Sequence, residues 1–210
     1  MAGVVEELKR RLRATPVGAL VRRWRRWRVR RAWATRRTVP PPPEVKQALV
    51  RAVGRRYGLR VLVETGTYEG EMVAAVRRAF ARVYSIELDP ALAARARARF
   101  RGDPRVTILE GDSARVLPTL LAALDEPCLF WLDGHDSGGA TARGPRATPV
   151  REELAAIFAH PVRAHVVLVD DARLFTGADD YPTLAEVAAL ARAAGYGTVE
   201  VRDDVIHIRR

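Results

Sequence analysis

Six acidic residues and one histidine stand where an alternating α/β chain can present chemistry. Glu64, Glu87, Asp112, Asp133 and Asp170 each end or directly follow a short apolar run, and His135 and Asp171 lie beside the last two. Carboxylates at such positions accept hydrogen bonds from hydroxyls and attract cationic groups. Asp133, Asp170 and Asp171, at adjacent strand ends, form an oxygen-rich set of the kind Mg2+ prefers. Histidine is a competent base near neutral pH. Each residue also has a plainer use. Glu87 or Asp112 could cap a helix or close a turn, Asp171 could cap the segment after it, and His135 could bond within its own loop.

The acidic residue Glu64 sits in Val61-Leu-Val-Glu-Thr-Gly-Thr-Tyr-Glu-Gly70. An apolar run followed by a glycine-bearing turn and a helical pattern is how α/β proteins build nucleotide pockets. Glycine there lets the backbone approach a ligand, and the helix start offers free N–H groups. A purely structural corner has the same pattern. The spacing Gly66-x-x-x-Gly70 differs from the G-x-G-x-x-G that seats a pyrophosphate. Acidic-x-Gly-x-x-x-Gly resembles the first motif of class I S-adenosylmethionine (SAM) methyltransferases, whose ligand has no phosphate. The resemblance implies that Glu64 and the turn Gly66-Thr67-Tyr68-Glu69-Gly70 face the methionine end of SAM. Glu87, twenty-one residues past Gly66, would accept from the ribose hydroxyls. Gly111-Asp112-Ser113 would meet the adenine, and Asp133 would line the same pocket.

The elements that position these residues follow from periodicity. Helix 44–57 leads into strand 60–65, followed by helix 70–80, strand 82–87, helix 90–100, strand 105–110, helix 113–124 and strand 128–133. After a Gly-rich loop come helix 149–159, strand 165–170, helix 182–194 and a hairpin of strands 198–202 and 205–209 over Asp203-Asp204. Strands alternating with helices predict a doubly wound, Rossmann-like α/β sheet covered on both faces. Seven strands with the last antiparallel match the class I methyltransferase order.

Trp131-Leu-Asp-Gly-His-Asp-Ser-Gly-Gly139 and Val167-Leu-Val-Asp-Asp171 resemble the metal-dependent O-methyltransferases of the macrocin/novobiocin-sugar type, and more loosely the catechol type. That likeness implies that Asp133, Asp170 and Asp171 hold Mg2+. His135 would take the place of the family's catalytic base, an aspartate in the sugar enzymes, with Asp133 beside it. Asp133 could equally orient SAM in a metal-free enzyme. The loop Ser137–Gly144 is expected to cover the substrate, with Arg143, Arg146 and Arg173 near it. A resemblance to bacterial SAM-methyltransferase-like proteins spans about residues 58–210. The expected reaction is O-methylation of a small-molecule or glycan hydroxyl.

Charge divides the chain sharply. Residues 1–38 carry thirteen Lys/Arg and two Glu, the whole of the net +11; the other 172 residues hold 23 basic and 23 acidic side chains. Val4, Val5, Leu8 and Leu12, then Val17, Leu20, Trp24 and Trp27, recur at helical spacing, so 1–38 reads as a basic amphipathic arm. Pro40-Pro-Pro-Pro43 reads as a spacer (39–43) before a methyltransferase domain at 44–210. Such an arm suits an anionic membrane surface or RNA phosphates, and it could also simply be solvated or pack on a partner. One cysteine, no apolar span and no secretory h-region make the cytoplasm the expected compartment, with the inner face of the membrane as a variant. RNA-directed methylation and a non-catalytic SAM-fold module are the competing functions. Amino-directed DNA enzymes are disfavoured because Asp133-Gly-His-Asp stands where they have a Pro-Pro turn. Cytosine-C5 enzymes are disfavoured because Pro127-Cys128 precedes strand four.

Overall fold

The computed structural model describes residues 15–134 and 148–210. The chain divides into two compact units, one ending at Lys46 and one spanning Gln47–Arg210. Within the first, helix α1 (Pro16–Arg36) is closed by its own residues. Thr15 Oγ1 accepts from the Gly18 N–H at 3.0 Å, and Arg37, in the left-handed region, donates its N–H to the Trp33 carbonyl at 2.7 Å. The helical pattern expected at Val4–Leu12 lies outside the described residues.

The second unit is built on a seven-stranded sheet ordered β3-β2-β1-β4-β5-β7-β6. The strands are β1 (Val61–Thr65), β2 (Arg82–Glu87), β3 (Val106–Glu110), β4 (Cys128–Leu132), β5 (Val166–Val169), β6 (Thr198–Arg202) and β7 (Val205–Arg209). β1 to β5 run parallel, and β7 is antiparallel to both its neighbours. This is the α/β class I methyltransferase sheet that the sequence predicts. β1, β4 and β5 are buried throughout because alternate residues face opposite layers. Leu62, Leu129, Trp131 and Leu168 pack with Val50 and Val53 of α2 (Pro43–Arg56), Val73 and Val76 of α3 (Glu71–Val76) and Ala93, Ala96 and Phe100 of α4 (Pro90–Phe100). Val63, Phe130, Leu132 and Val167 pack instead with Leu117 and Leu121 of α5 (Ser113–Leu121), Leu154 and Ile157 of α6 (Val150–Ala159) and Val187 of α7 (Leu184–Ala193).

Three helices are several residues shorter than their periodicity predicts, the one expected at 182–194 spanning Leu184–Ala193. The helix expected at 70–80 is α3 followed by a 3-10 turn at Arg77–Ala79, and that expected at 113–124 ends at Leu121. The hairpin turn at Asp203-Asp204 has both residues at positive φ, 53° and 62°, the two-residue turn that follows strand twist.

The N-terminal edge of the sheet carries an ordered chain of buried rings. His160 Nε2 lies 2.9 Å from the Leu121 carbonyl, which can only accept, so the proton is on Nε2. The Cys128 N–H donates to His165 Nδ1 at 3.0 Å, leaving His165 Nε2 to donate to His160 Nδ1 at 2.9 Å. Burial, and then the neighbouring His160, push the His165 pKa down to about 4.

Candidate functional site

The opposite, C-terminal edge of the sheet gathers the acidic residues. The ladder continues past the strands there: Gly66 and Thr67 donate N–H to the Ile86 carbonyl, Gly111 to Glu87, Asp133 to Thr65 and Asp170 to Leu132. These bonds fix the backbone that presents Glu64, Glu87, Asp112, Asp133 and Asp170 along one rim. The β1 turn needs its glycines for close approach. Gly66 has φ 83°, and a Cβ there would stand 2.8 Å from the Asp133 carbonyl carbon and closer still to its oxygen. Gly70 has φ 71°, with the Phe100 ring 2.8 Å from the position a Cβ would take. Tyr68 also sits at positive φ, 48°, and its side chain is exposed.

Glu64 is 1% exposed, and its carboxylate accepts from the Ser85 hydroxyl, which is itself 2.6 Å from Thr67 Oγ1. Burial raises its pKa to about 8; the Ser85 bond opposes this, while the negative charges of Asp133 and Glu87 add to it. Glu64 therefore carries a proton at neutral pH. Glu87 is oriented by two backbone donors, Tyr68 N–H at 2.6 Å and Asp89 N–H at 2.9 Å. A carboxylate oxygen with one partner keeps a second lone pair for a ligand hydroxyl.

Asp112 caps α5, accepting from the Ala114 N–H at 3.0 Å, so its plainer use is realised. Ser113 beside it is buried. An open cleft of about 540 Å3 lies alongside, walled by Leu109, Val116 and Leu120 with Gly111, Asp112 and Arg115 at its margin.

The three expected Mg2+ ligands are not brought together as a set. Among the described residues no three His, Cys, Asp or Glu side chains gather closely enough to hold a metal. Asp171 adopts a left-handed conformation, φ 55°, and its carboxylate pairs with the Arg173 guanidinium at 2.7 Å. The same guanidinium pairs with Asp204 from the β6–β7 turn, whose other oxygen accepts the Arg173 N–H at 2.9 Å. Arg173 thus already supplies the positive charge beside Asp171, and the donor set found there does not fit Mg2+. Asp170 is 2% exposed, and its Oδ1 accepts the Asp171 N–H at 2.8 Å. His135, Arg143, Arg146 and the loop Ser137–Gly144 lie outside the described residues.

Two rim residues escape sequence reasoning. Ser85 occupies a strand interior and reads as an unremarkable core position, yet it joins Glu64 to Thr67. Glu153, 1% exposed in the first turn of α6, has Oε1 3.4 Å from where a Cβ on Gly134 would lie, next to Asp133. An acidic residue in register with the buried Val150, Leu154 and Ile157 was the available signal.

The sheet order and its antiparallel β7 define the Rossmann-like α/β fold of class I methyltransferases. Solved structures share it. The SAH-bound Podospora anserina methyltransferase PaMTH1 aligns over 86% of each chain with TM-score 0.59 and 19% identity. The O-methyltransferase TomG from Streptomyces achromogenes, solved with SAM, aligns over 87% of each chain with TM-score 0.55 and 20% identity. A Bacillus cereus O-methyltransferase in complex with SAH covers 88% of this chain and 90% of its own, with TM-score 0.58 and 13% identity. No protein-family model matches the chain, and no curated protein matches it in sequence.

Proposed function

We propose that this chain is a SAM-dependent methyltransferase acting on a hydroxyl of a small molecule or glycan. The observation that carries the reading is the mutual crowding of Glu64, Glu87 and Asp133, close enough for the other two charges to raise the Glu64 pKa behind a glycine-lined turn. Such a site favours a ligand bearing positive charge, and SAM carries a sulfonium and an ammonium. The PaMTH1, TomG and Bacillus cereus structures, which hold SAH or SAM on the same fold, support the choice.

When bound, SAM supplies a methyl group on a sulfonium already activated for displacement. Glu87, oriented by the Tyr68 and Asp89 N–H groups, suits the ribose hydroxyls. The apolar-walled cleft beside Asp112 and Ser113 suits a planar base. Glu64 gives up its proton as cationic charge arrives, so a neutral residue of the free protein becomes a counter-charge. Asp133 is anchored through its N–H to the Thr65 carbonyl, two residues before His135 in the sequence. His135 would take the proton of the acceptor hydroxyl.

Calorimetry with SAM tests the reading directly. Glu87→Ala should weaken binding by about tenfold or more, the scale of a lost charge-assisted hydrogen-bond pair. No binding by the unaltered chain, or equal binding by the variant, defeats it. A methyl-transfer screen over sugar, phenolic and RNA acceptors then identifies the acceptor.

A further inference from the structure

We infer that α1 is an interfacial helix that seats the protein on an anionic lipid bilayer. Projected at helical pitch, Val17, Leu20, Val21, Trp24 and Trp27 fall within about 120° of the circumference. All five are 51–68% exposed, a continuous apolar stripe left in water. The helix carries eight arginines and no acidic residue, and Arg23, Arg25, Arg26 and Arg30 lie off the stripe. No described helix is long and apolar enough to cross a membrane, so the helix lies on a surface.

Charge complementarity selects an anionic occupant, and the stripe decides which one. A polynucleotide offers phosphates and base faces but no apolar phase for Val17, Leu20 and Val21. One face of each central indole is already covered: the Arg28 guanidinium is 4.7 Å from the Trp24 ring centroid and Arg31 is 5.2 Å from that of Trp27. Base stacking on those faces is blocked. A bilayer interface accommodates the whole pattern, with aliphatics entering the acyl boundary, indoles at headgroup level and the stacked guanidinium groups reaching lipid phosphates. Thr15 and Arg37 cap the helix at its two ends. The inference does not depend on methyl transfer.

Vesicle flotation with the full chain at ~0.15 M salt tests it. Phosphatidylcholine vesicles containing about one-third phosphatidylserine should bind, pure phosphatidylcholine should not, and chain-brominated lipid should quench indole fluorescence. Arg23→Gln, Arg25→Gln, Arg26→Gln and Arg30→Gln together should lower partitioning on the order of several hundred-fold, about fivefold per arginine. Trp24→Ser with Trp27→Ser should lower it at least about tenfold with all charge retained. Leu20→Gln with Val21→Gln repeats that arm, and circular dichroism checks that each variant keeps its helix. Absence of quenching, or serine and glutamine variants that bind as well as the original, overturns the inference. So does RNA binding without vesicle binding.

Discussion

Glu64 should make stability fall with pH in a range where most carboxylates are silent. Its folded pKa is about 8 against an ordinary 4.5, so between those values the native state holds a proton that the unfolded chain has released. Unfolding then releases a proton, and stability drops by about 1.4 kcal/mol per pH unit, close to 5 kcal/mol across the window. His165 acts in the opposite sense. With a folded pKa near 4 against 6.5, it is bare in the native state while the unfolded ring is protonated, so stability rises with pH by about 3 kcal/mol over that interval. From about pH 4.5 to 6.5 the two contributions cancel, and above 6.5 the fall due to Glu64 is left alone. Glu64→Gln separates them, because every other titration drops out of the difference between the two proteins. Urea unfolding at half-unit pH steps should show the variant gaining about 5 kcal/mol on the original between pH 4.5 and 8. A difference curve flat across that range, or one that levels off below about pH 6, would refute a protonated Glu64 and with it the proton-for-cation exchange proposed for SAM.

Gly66→Ala should cost about 3 kcal/mol in urea unfolding, since its Cβ meets the Asp133 carbonyl at a φ that disfavours alanine. His165→Gln should gain about 3 kcal/mol on the original as pH falls from 6.5 to 4, leaving the fall due to Glu64 uncompensated there; an unchanged difference would place that titration elsewhere. Arg173→Met should destabilise by about 2 kcal/mol, read by thermal melting, because the largely buried carboxylates of Asp171 and Asp204 lose their shared cation. Methyl transfer by the unaltered protein should persist in EDTA, and activity restored only by added Mg2+ would overturn the reading of that cluster.

Strand positions were legible because buried parallel strands are written as continuous apolar runs, and Val61–Val63 and Cys128–Leu132 admit little else; their order in the sheet came only from the resemblance to class I methyltransferases. The rim was legible because a strand end is a local property of sequence: Glu64, Glu87 and Asp170 terminate runs whose direction the alternation sets. Side-chain partnership was not. Asp171 was expected to face a metal beside Asp170, but its partner Arg173 also binds Asp204, thirty-one residues further along, in a hairpin turn whose approach no local pattern announces. Ser85 bonds to Glu64 across twenty-one residues for the same reason. α3 ended early because Arg77 turns its guanidinium onto the Ala74 carbonyl at 2.7 Å and onto Asp103 at 2.8 Å, a tertiary bond that propensity cannot anticipate.

The two ends of β4 divide stability from chemistry. At Cys128 the backbone N–H enters a chain of rings in which every described donor meets an acceptor and no charge is buried. Burial also pushes the Cys128 thiol up to about 12, so it stays protonated and inert there. Past Leu132, the same strand delivers Asp133 among Glu64 and Glu87, an arrangement that raises the free energy of the unliganded protein. Nothing in the packing of β4 requires that crowding, because Leu132 and Val169 already close the core beneath it. A cationic ligand would remove the need for a proton on Glu64. The strained end of the sheet is therefore the end where ligand binding can contribute most, and the relaxed end holds the strand in register while it does so.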